Sequence, residues 1–119
     1  MSAEFTDQVI RALSEQRRRS TLRVLQQHQE ATISKIAKEI AAKEDDGPNS
    51  DVRSDAVHID LYHCHIPILA EAGLVHYTED QDVVAISEHG TNITAFLGRR
   101  TLFNHQFLRC VSPLFSPRC

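Results

Sequence analysis

The sequence predicts a mainly α fold closed by a small β-hairpin, on three observations. The run Ile66-Pro-Ile-Leu-Ala-Glu-Ala-Gly-Leu-Val-His-Tyr77 is a helix that stops at Gly73, with Leu74 folding back on its last turn. Two short β-type runs follow, the second being Val83-Val-Ala-Ile86, joined by the acidic turn Thr78-Glu-Asp-Gln-Asp82. Upstream, apolar residues recur at helical spacing in three further segments. A helix running directly into a hairpin is the pattern of the recognition helix and wing of a winged helix-turn-helix domain. A fifth amphipathic segment adds a C-terminal helix. The expected organisation is a winged helix-turn-helix domain over 1–88, a helix over 89–111 and a loose tail over 112–119.

Element by element, the first helix starts near Asp7, with Thr6 as N-cap and Phe5 and Ile10 as a hydrophobic staple across it. Val9, Ile10 and Leu13 form its apolar face. Ser14 caps a second helix, Glu15 to about His28, with Leu22 and Leu25 inward. Ala31-Thr-Ile33 is a short strand or turn. Ser34 caps a third helix whose Ile36, Ala37, Ile40 and Ala41 recur at helical spacing. Glu44 to Asp51, with Asp-Asp-Gly-Pro-Asn-Ser, is an exposed loop. The fourth helix runs from about Ser54 to Ala72 and the fifth from about Gly90 to Leu108.

At 119 residues and 41% hydrophobic, the chain can bury one core but is short for two domains. No apolar run approaches the ~20 residues that span a bilayer. The start Met-Ser-Ala-Glu-Phe has no basic segment followed by an apolar one, so no secretory signal is expected. Cys64, Cys110 and Cys119 are odd in number and widely spaced, which argues against a disulfide framework and for a cytoplasmic setting.

The net charge is −3, unevenly spread. Residues 1–43 carry eight Lys/Arg against five Asp/Glu; residues 44–97 carry Arg53 alone against eleven acids; residues 98–119 carry four Arg and no acid. A DNA-binding surface would have to draw on the basic ends.

Counted back at 3–4 residue spacing, Ile59, Tyr62, Ile66 and Leu69 form the inward stripe of the fourth helix, widened by Leu61, His65 and Ile68. Arg53, Ala56, Asp60, His63, Cys64, Pro67 and Glu71 remain for the outer face. Only Arg53 there is a strong reader of bases or phosphate, with His63 and Cys64 weaker, and Asp60 repels phosphate unless it accepts from a cytosine amino group. Pro67 removes a backbone donor and kinks the helix near His63. Arg17, Arg18 and Arg19 span most of a helical circumference, so they cannot all face DNA; one is expected in the core rim and two toward solvent or phosphate. Ser34 and Lys35, at the start of the third helix, complete the expected DNA-facing set. The wing tip, with Glu79, Asp80 and Asp82, is a solvated acidic turn.

His63, Cys64 and His65 invite a zinc reading, but consecutive helical residues fan out over ~200° and cannot share one metal, so neither metal nor cofactor is expected. No Gly-rich phosphate loop or nucleophile motif is present, and the expectation is a non-enzyme. After residue 92, Ile93, Phe96, Leu97, Arg100, Phe103, Phe107 and Val111 recur at three- or four-residue spacing, and the apolar ones, Ile93, Phe96, Leu97, Phe103 and Phe107 foremost, leave surface suited to a homodimer.

Leu13-Ser-Glu-Gln-Arg-Arg-Arg-Ser-Thr-Leu-Arg-Val-Leu25, the helix Ser34–Ala42 and Leu61-Tyr-His-Cys-His-Ile-Pro-Ile-Leu-Ala-Glu-Ala-Gly-Leu-Val75 fall in one order. In that order they resemble the small winged-helix domains abundant in haloarchaea, mostly uncharacterised transcription regulators. The resemblance covers roughly residues 7–87 and implies a winged-helix fold and binding to double-stranded DNA. The expectation is therefore a dimeric winged-helix transcription regulator. The alternative is a degenerate winged helix that serves as a protein-interaction adaptor.

Overall fold

The computed structural model describes residues 3–44 and 50–99. In chain order they form α1 (Ala3–Leu13), α2 (Gln16–His28), β1 (Glu30–Thr32), α3 (Ile33–Glu44) and α4 (Ser50–Asp60). A π-helical turn (Leu61–His65), α5 (Ile66–Glu71), β2 (Val75–Thr78), β3 (Val83–Ile86) and α6 (Glu88–Arg99) follow. The strands form one antiparallel sheet in the order β1-β3-β2, with Ala31 opposite Val84 and Tyr77 opposite Val84 on its other side. Helices followed by a hairpin that pairs back with an early strand give the mainly α, winged-helix-like architecture expected, with a C-terminal helix. The first strand supplies the third rung of the sheet, which Ala31-Thr-Ile33 only hinted at.

Helix ends show where local chemistry ruled. Leu74 N–H donates to the Leu69 carbonyl at 3.0 Å and Gly73 N–H to that of Ala70 at 3.0 Å, with Gly73 at φ +77°. This is the paired bonding of a left-handed helix stop, sealed by the buried side chains of Leu69 and Leu74. Elsewhere the caps differ from expectation. Helix α1 begins at Ala3, so Thr6 lies inside it. Ser14 does not cap α2: its Oγ donates back to the Arg11 carbonyl at 2.7 Å, and Glu15 holds the capping position. Thr32, not Ser34, caps α3, its Oγ1 accepting from Lys35 N–H at 3.1 Å. Helix α6 starts two residues early because Ser87 caps it, accepting from Gly90 N–H at 2.9 Å while donating to the Gly73 carbonyl at 2.7 Å.

The core joins Leu22 and Leu25 of α2, Ile36 and Ile40 of α3, Val57, Leu61, Leu69, Leu74 and Val84, all essentially inaccessible. Each such side chain contributes roughly 1.5–3 kcal/mol by leaving water. Helix α4 packs on α3, and α1 on α2 and α5, while α6 lies over α2.

The fourth helix differs most from its sequence reading. It starts at Ser50 and is interrupted by the π turn, in which Ile66 N–H donates to the Leu61 carbonyl five residues back. Pro67 brings no N–H and its ring would crowd the His63 carbonyl of a regular helix, so the widened turn relieves both problems. The buried stripe therefore steps by five from Ile66 to Leu61, then by four to Val57. Everything N-terminal to the turn is displaced by one residue from the count-back. Ile59 and Tyr62, expected inward, lie outside; Cys64, expected outside, lies inside.

Gly90 sits against the chain itself: a Cβ there would strike the Leu74 carbonyl oxygen and the Ile86 side chain, whereas one at Gly73 would meet open space. Gly90→Ala should cost ~2–3 kcal/mol, from overpacking against fixed backbone. Gly73→Ala should cost ~1 kcal/mol, from its positive φ alone. Urea titrations that rank the two the other way would contradict this packing.

Candidate functional site

The arginine triplet divides by burial. Arg18 is 1% exposed, and its guanidinium donates to the Ala12 carbonyl at 2.9 Å, the Arg11 carbonyl at 3.1 Å and His65 Nδ1 at 3.0 Å. Arg19 is buried too and donates to the Leu13 carbonyl at 3.0 Å. Three carbonyls at the C-terminal end of α1 are thus taken up by cations of the next helix, where the helix dipole favours them. The expectation of one buried and two outward arginines is corrected. Arg18 and Arg19 are structural, and neither can reach phosphate.

An arginine only donates, so His65 accepts at Nδ1 and carries its proton on Nε2. Burial, reinforced by the Arg18 charge, lowers the His65 pKa to about 4. Burial likewise lowers that of Arg18 to about 10.

Arg17 stays at the surface but is engaged. It forms a two-pronged pair with Glu44, Nε to Oε2 at 2.9 Å and a second prong to Oε1 at 3.0 Å, and donates to Asp60 Oδ2 at 2.7 Å. Arg53 donates to the same Glu44 at 3.3 Å. These bonds, Arg17's first, hold the Glu44 carboxyl below its ordinary value and raise the Arg17 pKa. Glu44 is therefore the hub that ties α2, α3 and α4 together at the far end of α3. Arg53 lies four residues before buried Val57, and its side chain, though exposed, reaches Glu44.

What faces outward instead is apolar. Val52, Ile59 and Tyr62 are 71%, 58% and 43% exposed, and Val52, Ala56, Ile59 and His63 follow one another at helical spacing. Tyr62 stands edge-on to His63 at 4.9 Å and to Tyr77 of β2 at 6.3 Å, so the hairpin continues the surface. Tyr77 donates to Asp82 Oδ1 at 2.9 Å, a bond that raises its pKa to about 12. Asp82 has φ 53°, so one of the three turn acids shapes the hairpin itself. Asp51, Asp55 and Glu71 of the same helical segment and Glu79 and Asp80 of the hairpin turn are also exposed.

The expected DNA-facing residues do not converge. Arg17 and Arg53 meet at Glu44, whereas exposed Lys35 and half-buried Ser34 lie in the first turn of α3, ~14 Å away along the helix. His63 alone sits on the outer face, packed against Tyr62. Of the expected dimer residues, Ile93 is half-buried against the protein's own core and Phe96 is exposed. The side chain of Leu97, and Phe103 and Phe107 entirely, lie outside the described residues. Cys64 is disulfide-bonded, against the expectation from three scattered cysteines. Among the described residues no group of three His, Cys, Asp or Glu could hold a metal ion, and no helix is long and apolar enough to cross a membrane.

Sequence reasoning missed the Val52, Ile59 and Tyr62 surface and the role of Glu44. The one available signal was Pro67, read as a kink when it marks a widened turn.

Residues 10–85 match the family described as "Domain of unknown function (DUF7344)". No curated protein and no solved structure matches the chain.

Two measurements probe the buried pair. The folded pKa of His65 lies below the ordinary 6.5, so the unfolded chain binds the extra proton and stability falls as pH drops from 6.5 toward 4. The loss reaches as much as ~3 kcal/mol. Urea titrations at pH 7, 5 and 4 should show that loss in the native protein and a flatter profile in His65→Gln, which keeps an acceptor for Arg18. Arg18→Leu should destabilise by ~2–4 kcal/mol, by orphaning α1 carbonyls. Arg17→Ala should cost ~1 kcal/mol or less and lose most of that in molar salt.

Proposed function

We propose that this chain, which belongs to the DUF7344 family, is a regulatory winged-helix module that docks a basic protein segment on the outer face of α4 and the π turn. One observation carries the reading: the helix that such folds present to partners exposes Val52, Ile59 and Tyr62, and the Asp, Glu, Lys and Arg residues exposed on that segment and on the hairpin turn are acids apart from Arg53. Exposed apolar residues grouped around an aromatic side chain are the composition of a protein interface. Four acids on the helix segment and three at the hairpin turn face Arg53 alone, and Arg53 is paired with Glu44. The acidity is local, since the whole chain is only −3, so it is not a uniform surface coat. Phosphate approaching this face meets repulsion over ~10 Å at low salt. A basic segment is attracted over the same range.

A second reading keeps the winged-helix frame for double-stranded DNA, with homodimers reaching paired half-sites. The frame itself favours it: a solvent-facing helix beside a wing, with exposed Lys35 and Lys38 on the preceding helix. In that reading the lysines supply phosphate contacts and Ala56 and Ile59 meet thymine methyl groups.

The two separate in one pair of titrations. A labelled amphipathic Lys/Leu peptide should bind the native protein, weaken at least tenfold with Ile59→Asp, and be replaced by no binding for a Glu/Leu peptide. Fragmented genomic DNA should be poorly retained from low to molar salt. Selective retention of a few fragments, lost in Arg53→Ala or Lys35→Ala, would instead establish the DNA reading.

A further inference from the structure

We infer that the free edge of β2 takes an extended, basic segment of a partner protein as a fourth strand, pairing main chain to main chain at Tyr77. The inference rests on the docking reading above and fixes the backbone form of the docked segment, a strand laid along the hairpin.

Three observations carry it, and the first is the register of the sheet. The order β1-β3-β2 leaves one side of β2 unpaired among the described residues. Ile86 N–H donates to the Gln29 carbonyl on the β1 side, and Ser87 N–H donates to the Leu74 carbonyl on the β2 side, both at 3.0 Å. Main-chain groups of an antiparallel strand alternate between its two sides, so Val83 and Ala85 bond across to Thr78 and His76. Tyr77, opposite Val84, therefore aims its N–H and carbonyl away from β3, and neither meets a main-chain partner among the described residues. The second observation is what the edge lacks. Exposed edges are ordinarily blunted by lysine, proline or a bulge. Val75-His-Tyr-Thr78 has none of these and pairs with β3 residue for residue. The third is charge: β2 runs straight into exposed Glu79 and Asp80, and no Lys or Arg occurs between Arg53 and Leu97.

These features set the chemistry of the partner. A residue bonded to Tyr77 on the free edge lies ~5.5 Å from it and puts its side chain on the same face of the sheet. There it comes beside Tyr62, whose ring stands edge-on to that of Tyr77 at 6.3 Å, so an apolar, β-branched side chain suits the position. Further along the added strand, side chains fall beside Glu79 and Asp80, where Lys or Arg is favoured. Main-chain bonds supply the affinity of strand addition and alternate side chains its specificity. With only four residues in β2, the contact is weak and reversible, as suits a regulatory module.

The test uses the full chain and an alternating Lys/Val peptide, N-methylated on its main chain either at every lysine or at every valine. The lysine-methylated peptide keeps its valine amides for Tyr77 and cannot stack into larger sheets. It should bind, and the valine-methylated peptide should bind at least tenfold more weakly. On binding, hydrogen exchange of the Tyr77 amide should slow at least tenfold, while the His76 and Thr78 amides, already in the ladder, change far less. Glu79→Lys, at an exposed position outside the core, should weaken binding at least threefold at low salt. Equal affinity of the two methylated peptides, unchanged affinity in Glu79→Lys, or a Tyr77 amide already protected in the free protein would each overturn strand addition. Binding of the amphipathic Lys/Leu peptide with none by the Lys/Val peptide would overturn strand addition and spare the docking face. Binding of neither would overturn both.

Discussion

The fold turns on a buried guanidinium. Arg18 reaches from α2 to the end of α1 on one side and to His65 in the π turn on the other, so three segments distant in sequence share one side chain. Withdrawing that charge from water costs several kcal/mol, recovered only because all its donor directions that the structure uses end on carbonyl or imidazole acceptors. The geometry is consequently strict. The turn must hold the His65 ring inward, and α1 must end where its last carbonyls meet Arg18 and Arg19. A lysine could not do the same, since one ammonium cannot fork between two carbonyls and a ring in a plane.

This arrangement separates the roles of cations that look alike in sequence. Arg17, Arg18 and Arg19 are neighbours, yet one bridges surface acids and two fill the interior. A run of three arginines suggests phosphate binding only while burial is unknown. Glu44 completes the picture: by holding Arg17 and Arg53 together it clamps three helices and takes from the presented helix its single strong cation. The outer surface is left apolar and acidic because its bases were used for architecture.

Much of the fold was legible because local signals agreed with global ones. The hairpin, the stop at Gly73 and the apolar spacing of α3 each follow from short-range chemistry and were found where expected. Caps were less legible, since Ser14, Thr32, Ser34 and Ser87 are chemically equivalent and only tertiary placement decides which one faces an orphan N–H. The candidate face was illegible for a different reason. Periodicity assumes constant helical pitch, and the π turn breaks that assumption between Leu61 and Ile66. Residue types were read correctly and then assigned to the wrong side.

That turn has a consequence for how such a surface can change. Which residues the presented helix offers to its surroundings depends on the count of residues between them and the anchored Ile66, as well as on their identity. Regular pitch through the same residues, with none lost, would rotate α4 by ~100°, turning one set of side chains inward and another outward with no substitution at all, whereas loss of one residue together with the widened turn would leave Leu61 and Val57 inward. The pitch of a single turn thus acts as a selector between two chemically different faces encoded in the same helix.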